Sequence, residues 1–200
     1  AILCDYGTAF SDSEIKYPEH VAGKNLTAIV LTHAHVDHSG AIPLFYISGS
    51  VPLYTTKLTH VISKVLHSDT LKISSNYIPY GWYEVKKMER YCKFVNFGEK
   101  HKVGKNCWIT LYNAGHIPGS AVALIEMDGK KILYTGDINT IDTQLLTKFD
   151  VSEIPPIDAI ISEATYGNTE HSLDRETLEE QLFSAVNKTI KRGGTVLIPA

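Results

Sequence analysis

Two hundred residues, 44% hydrophobic and 20% charged, suffice for one well-buried globular core or a core plus part of another. The formal charge of −3 supplies no global basic field, and no apolar run reaches the roughly 18 residues needed to span a bilayer. Three scattered cysteines, Cys4, Cys92 and Cys107, form neither a disulfide framework nor a Cys-x-x-Cys pair, and no signal peptide opens the chain, which together point to the cytoplasm.

Short runs rich in branched apolar residues mark strands, and apolar positions recurring every three or four residues mark helices. In chain order the pattern predicts strands at residues 2–4 and 28–31, a helix at 40–47, a strand at 51–54, and helices at 56–67 and 81–91. Strands follow at 108–112, 122–127 and 131–134, the last two joined across Asp128-Gly129, a pair that favours a tight hairpin. A strand at 159–161, a helix at 173–191 and a strand at 195–198 complete the series. The helix at 173–191 places Leu173, Thr177, Leu178, Leu182, Phe183, Val186 and Ile190 on one face, and Gly193-Gly194 follows as a stop. Strands first in hairpins, then alternating with helices, predict a layered α/β domain. Both ends read as strand interiors, so the expectation is an excerpt of a longer polypeptide.

The apolar run Ile29-Val30-Leu31-Thr32 leads directly into His33-Ala34-His35-Val36-Asp37-His38. Three imidazoles and a carboxylate within six positions have the donor chemistry of a zinc-type divalent site. At a strand end the alternate residues His33 and His35 point the same way, and Asp37 and His38 fall further along the loop, where they can face a second ion. A histidine-rich surface loop is the plain alternative. Two later segments supply what the cluster lacks. Asn113-Ala114-Gly115-His116-Ile117-Pro118-Gly119-Ser120 offers a histidine in a loop after a strand, and Leu133-Tyr134-Thr135-Gly136-Asp137 delivers a carboxylate past a glycine. Taken singly, either is an ordinary turn residue. Beside the first cluster, His116 reads as a further ligand and Asp137 as a bridge, because one carboxylate has two oxygens to share between cations.

In this order and spacing the segments resemble the metallo-β-lactamase superfamily. Cys4-Asp5-Tyr6-Gly7 is similar to its first motif, which implies that Asp5 supports the metal histidines from behind. His33, His35, Asp37 and His38 match the H-x-H-x-D-H motif, His116 the third motif and Asp137 the fourth. The implied fold is an αββα sandwich, here partial, with a metallo-β-lactamase domain over residues 1–170. Ile161-Ser162-Glu163-Ala164-Thr165-Tyr166-Gly167 resembles the acidic motif that opens the β-CASP branch, the nucleases of RNA processing and DNA repair, with Ala164 where a serine is common. Residues 171–200 would then be the first helix and strand of a β-CASP domain. The segments 114–121 and 134–139 also look like archaeal relatives of the cleavage-and-polyadenylation endonuclease subunit and of RNase J.

The resemblance implies zinc-dependent hydrolysis of RNA phosphodiester bonds by a hydroxide activated between two ions. His33, His35 and His116 would hold one zinc, Asp37 and His38 the other, and Asp137 would bridge them, with Asp37 also orienting the nucleophile. Asp37, Asp137 and Glu163 are thus the catalytic candidates, Glu163 by positioning a histidine or, more plainly, as a strand-end carboxylate paired with a neighbour. The family's two further histidine motifs are expected beyond residue 200, so the chain alone is expected to be weakly active or inactive. His171 faces the cleft or caps the following helix. The expected partners are an RNA substrate and a homodimer or RNA-processing complex, with no membrane. Lys86, Lys87, Arg90, Lys93, Lys100, Lys102 and Lys105, interleaved with Trp82, Tyr83 and Tyr91, offer phosphate contact or base stacking, though Glu84, Glu89 and Glu99 dilute them towards a plain solvated face. Rival readings are a thioester or lactone hydrolase of the same fold, which the Glu163–Gly167 run argues against, and a non-catalytic subunit, which the filled ligand positions argue against. Iron or manganese suits similar donors.

Overall fold

The run Ala28-Ile29-Val30-Leu31 has no polar face to offer water, and in the computed structural model all four residues are buried. The structure describes residues 1–10, 15–73, 78–169 and 174–198. Strand β1 (Ile2–Cys4) precedes a short antiparallel pair, β2 (Ala9–Phe10) and β3 (Ile15–Lys16), and then β4 (Ala28–Val30). A one-turn helix α1 (Val36–Ser39), strand β5 (Leu53–Thr55), helices α2 (Lys57–Ile73) and α3 (Trp82–Tyr91), and strand β6 (Cys92–Phe94) follow. Strands β1, β4, β5 and β6 form one sheet in the order β1-β4-β5-β6, parallel throughout.

A second sheet takes β7 (Lys100–Gly104), β8 (Cys107–Asn113), β9 (Ala121–Met127), β10 (Lys130–Tyr134) and β11 (Ala159–Ile161) in the order β11-β10-β9-β8-β7. Its pairings are antiparallel except β10 with β11. Asp128 and Gly129 both take positive φ, 50° and 81°, which is the tight turn their sequence predicts between β9 and β10.

Alternation sorts the side chains into layers. Ala28 and Val30 of β4 meet Ile109 and Leu111 of β8 and Ala121, Ala123 and Ile125 of β9, which makes the core between the sheets. Ile29 and Leu31 point the other way, onto Ile42, Phe45, Tyr46 and Met88, so helical segments cover the outer face of the first sheet. On the far side of the second sheet Val122 and Leu124 pack with Ile138, Phe149 and Ile154. The layered α/β expectation holds: facing sheets flanked by helices. No helix among the described residues is long and apolar enough to cross a membrane.

Several boundaries differ from expectation. The helix predicted at 40–47 is α1 followed by a 3-10 stretch, Ile42–Tyr46, with Pro43 in its first turn, where the missing N–H costs nothing. Helix α2 runs six residues past the predicted end at His67. Strands β2, β3, β6 and β7 were not foreseen. Residues 195–198 form no strand, because an apolar run needs a neighbouring ladder to become one and they pair with no strand among the described residues. The chain falls into two compact units, Ala1–Glu163 and Ala164–Ala200. The second holds helix α4 (Arg175–Lys191), capped by Asp174, on which Leu178, Leu182, Phe183 and Ile190 stay exposed. Leu173 and His171 lie outside the described residues.

Candidate metal centre

Three chain segments leave the same end of the facing sheets. Residues 32–38 exit β4, residues 114–120 connect β8 to β9, and Gly136-Asp137 follows β10. The N–H of Ala121 donates to the Thr32 carbonyl at 2.8 Å and ties the first two segments together. Gly136, at φ +53°, lets the third come close: a Cβ there would sit 2.6 Å from the Thr32 hydroxyl oxygen.

His33, His35, His116 and Asp137 converge, with one donor atom of each lying within 4.8 Å of all the others. Nδ1 of His35 is 3.1 Å from Nε2 of His33 and 3.3 Å from Nε2 of His116. Oδ2 of Asp137 is 3.6 Å from Nε2 of His116 and 3.9 Å from Nε2 of His33. His33 is fully buried, and burial, helped by neighbouring His38, His116 and His35, pushes its pKa down to about 2, so its ring is neutral. Burial and the neighbouring imidazoles likewise lower His116, against the pull of Asp137 and Glu163.

A second group stands alongside. Nε2 of His38 is 3.3 Å from Oδ1 of Asp137 and 3.8 Å from Oδ2 of Asp37. The two oxygens of Asp137 thus face different partners. Burial opposes charge on His38, but its hydrogen bond to Asp5 and the charges of Asp5, Asp137 and Asp37 outweigh that, and its pKa is raised. The Asp37 side chain is 63% exposed, the most open of the group.

Asp5 sits behind both groups, buried and in the left-handed region at φ 56°, a conformation that aspartate tolerates better than most residues. Its Oδ1 accepts the Thr32 N–H at 2.8 Å. Its Oδ2 accepts the Thr32 hydroxyl at 2.7 Å, Nδ1–H of His38 at 2.8 Å and the Tyr134 hydroxyl at 3.2 Å. Burial first, then Asp5, raises the Tyr134 pKa, so that hydroxyl stays protonated and donates. Neighbouring Cys4 is pushed up to about 12 by burial and by Asp5, which keeps it a thiol in the metal-free protein. Sequence reasoning missed Thr32 and Tyr134 as partners of Asp5, although both stand inside the quoted motifs.

Glu163 reaches the same neighbourhood. Its Oε1 accepts the N–H of Ile138 at 2.7 Å, one residue after Asp137. A cavity of about 230 Å³ is bounded by His38, Tyr134, Asp137, Ile161 and Glu163, among others. A larger one of about 480 Å³ lies against Tyr6, His20, Lys24, Phe45 and Pro52 and includes none of the ligand candidates. The basic stretch is divided: Lys100 pairs with Glu126 at 2.6 Å, and Lys100 and Lys102 lie over the Trp108 ring. Trp82 and Tyr83 are exposed, whereas Tyr91 is half-buried and stacks on Tyr46.

Neutral imidazole nitrogens and carboxylate oxygens converging from three segments are the donor set that divalent ions of the zinc type take, so these residues fit a metal. Residues 1–184 match the metallo-beta-lactamase superfamily. The chain belongs to that family. Among curated proteins the chain is similar to RNase aCSPSF2 of Saccharolobus solfataricus, 33% identical over 100% of this chain and 41% of that protein. An RNase J-like protein of Methanocaldococcus jannaschii is 37% identical over 99% of this chain and 45% of its own length. Transcription termination factor FttA of Thermococcus kodakarensis is 34% identical, with 100% and 34% covered. The chain spans less than half the length of these relatives. A crystal structure of a protein of unknown function from Enterococcus faecalis V583 shares the fold, with a TM-score of 0.62, 20% identity, 94% of this chain and 52% of that chain. Metal binding follows from membership of the superfamily together with the His/Asp cluster.

Proposed function

We propose that this chain is the metal-binding part of a β-CASP-branch ribonuclease that hydrolyses RNA phosphodiester bonds with two zinc ions. His33, His35 and His116 would hold one ion, Asp37 and His38 the other, and Asp137 both. The observation that carries this reading is the division of Asp137, Oδ1 towards His38 at 3.3 Å and Oδ2 towards His116 at 3.6 Å. The archaeal relatives named as RNases support the substrate class. The free cysteines accord with a reducing, cytoplasmic setting.

Zinc ions so held supply a lowered pKa for water and offset the charge of phosphate oxygens. The protein's share is orientation. Asp5 fixes His38 by accepting from Nδ1 and turns Nε2 outwards. Asp37, exposed beside His38, is placed to accept a hydrogen bond from attacking water. Glu163 steadies the Asp137 loop through the Ile138 N–H, and a histidine of a further segment is its second expected partner. Residues 171–200 are the start of the β-CASP domain in this reading.

The test offers purified zinc-loaded protein an end-labelled RNA and, separately, a small thioester. Cleavage of RNA that a chelator abolishes is expected, weak where this chain is tested alone. Thioester turnover without RNA cleavage overturns the reading in favour of a small-molecule hydrolase, and protein that binds no metal and cleaves neither points to a non-catalytic subunit.

A further inference from the structure

Helix α2 buries a row of polar residues along its inner face, ahead of Leu71. Thr59, Ser63 and His67, one turn apart, are buried to 1% exposure or less, whereas Leu58, Val61 and Val65 are 47%, 50% and 56% exposed. A helix that served packing alone would turn its apolar stripe inwards. Buried hydroxyl and imidazole groups are unfavourable unless each finds a partner. Ser63 finds its partner within the helix, the His60 carbonyl at 3.0 Å. The other two find theirs on the ligand segments.

At the start of α2, the hydroxyls of Thr59 and Thr56 both donate to the Gly119 carbonyl, at 2.7 and 2.8 Å. Thr56 also accepts the Thr59 N–H at 3.1 Å, so it caps the helix with the same oxygen. Gly119 belongs to the His116 loop, where the Ser120 hydroxyl accepts the N–H groups of His116 and Ile117. Two turns further along, Nε2–H of His67 donates to the Ser39 carbonyl at 3.1 Å. Ser39 ends α1, the single turn that carries Asp37 and His38, and a carbonyl at a helix C-terminus has no N–H of its own helix to accept. Nδ1 of His67 has no partner among the described residues, where the ring's one hydrogen bond is the one to Ser39.

We propose that α2 is a clasp that fixes the separation of the ligand segments: Thr56 and Thr59 hold the loop of His116, and His67 holds the turn of Asp37 and His38. The rigid span between Thr59 and His67 is about 12 Å at the helical rise of 1.5 Å per residue. The inference rests on the two-ion reading above and adds positioning residues that touch neither ion.

The experiment measures zinc content, zinc affinity by competition with a chromophoric chelator, and imidazole ¹H–¹⁵N spectra that identify which rings carry an ion. It compares the wild type with the double variant Thr56→Val/Thr59→Val and with His67→Leu, with folding checked by circular dichroism. The double variant is expected to weaken zinc at the His116 group by about tenfold or more while the His38 signal persists. His67→Leu is expected to do the reverse. His67→Gln and Thr59→Ser, which keep a donor, restore binding, and Ser63→Ala leaves both groups unchanged. A wild type that holds two zinc ions while the valine and leucine variants bind like it, or lose both ions together, overturns the clasp alone. A wild type that holds fewer than two overturns the two-ion reading and the clasp with it.

Discussion

Thr32 donates twice to Asp5, through its N–H to Oδ1 at 2.8 Å and through its hydroxyl to Oδ2 at 2.7 Å. Because the hydroxyl proton is spent on Asp5, its oxygen can only accept from Nδ1 of His33, 3.1 Å away. That fixes the tautomer of His33: Nδ1 carries the proton, and Nε2 presents a lone pair towards His35, His116 and Asp137. One buried carboxylate therefore orients His38 directly and His33 through Thr32.

Removal of the hydroxyl should release that orientation. Thr32→Val, nearly the same shape, is expected to weaken zinc binding by about 10- to 100-fold, and Thr32→Ser to restore most of it. Competition titration with a chelator measures both. Equal affinity for the valine variant and the wild type would show that the His33 tautomer is set elsewhere.

The ligand candidates were legible in the sequence because donors of one chemistry were crowded at a strand end, a pattern that packing does not produce. His33, His35, His116 and Asp137 converge, and Asp5 lies behind them. The hairpin at Asp128-Gly129 was legible too, since few residues take positive φ in succession. The orientation of α2 was not. Leu58, Val61 and Val65 announce a helix by their spacing, yet they stay exposed while Thr59 and His67 are buried, because partners distant in sequence satisfy those two. Strand β6 and strand β7, with its charged Lys100 and Lys102, are edge strands and carry too little apolar pattern to be read.

Gly7 tests how closely the first motif packs against the metal turn. A Cβ there would fall 1.6 Å from the Asp37 carbonyl oxygen, and the opposing atoms are backbone that cannot swing aside. Gly7→Ala should cost at least the roughly 3 kcal/mol at the upper end of overpacking and should lower zinc content. Urea denaturation reads the loss, and a cost below about 1 kcal/mol would mean that the turn yields easily.

His67 predicts a pH dependence in the metal-free protein. Burial holds its pKa at about 4 against the ordinary 6.5, despite the hydrogen bond to Ser39 that favours the proton. Between those values the unfolded chain binds a proton that the folded one refuses. Stability from this group is therefore complete above pH 6.5 and is lost as pH falls towards 4. Thermal melts should show a shallower decline over that range for His67→Gln than for the wild type, since the remaining histidines titrate alike in both. Identical slopes would contradict a buried neutral ring.

The central claim is that Asp137 divides its carboxylate between a three-histidine group and the Asp37–His38 pair. Anomalous diffraction at the zinc edge from crystals of the zinc-loaded protein tests it most directly. Two separate peaks are expected, one bounded by His33, His35 and His116 and one by Asp37 and His38, with an Asp137 oxygen on each. A single peak, or two peaks with Asp137 turned away from either, would contradict the account.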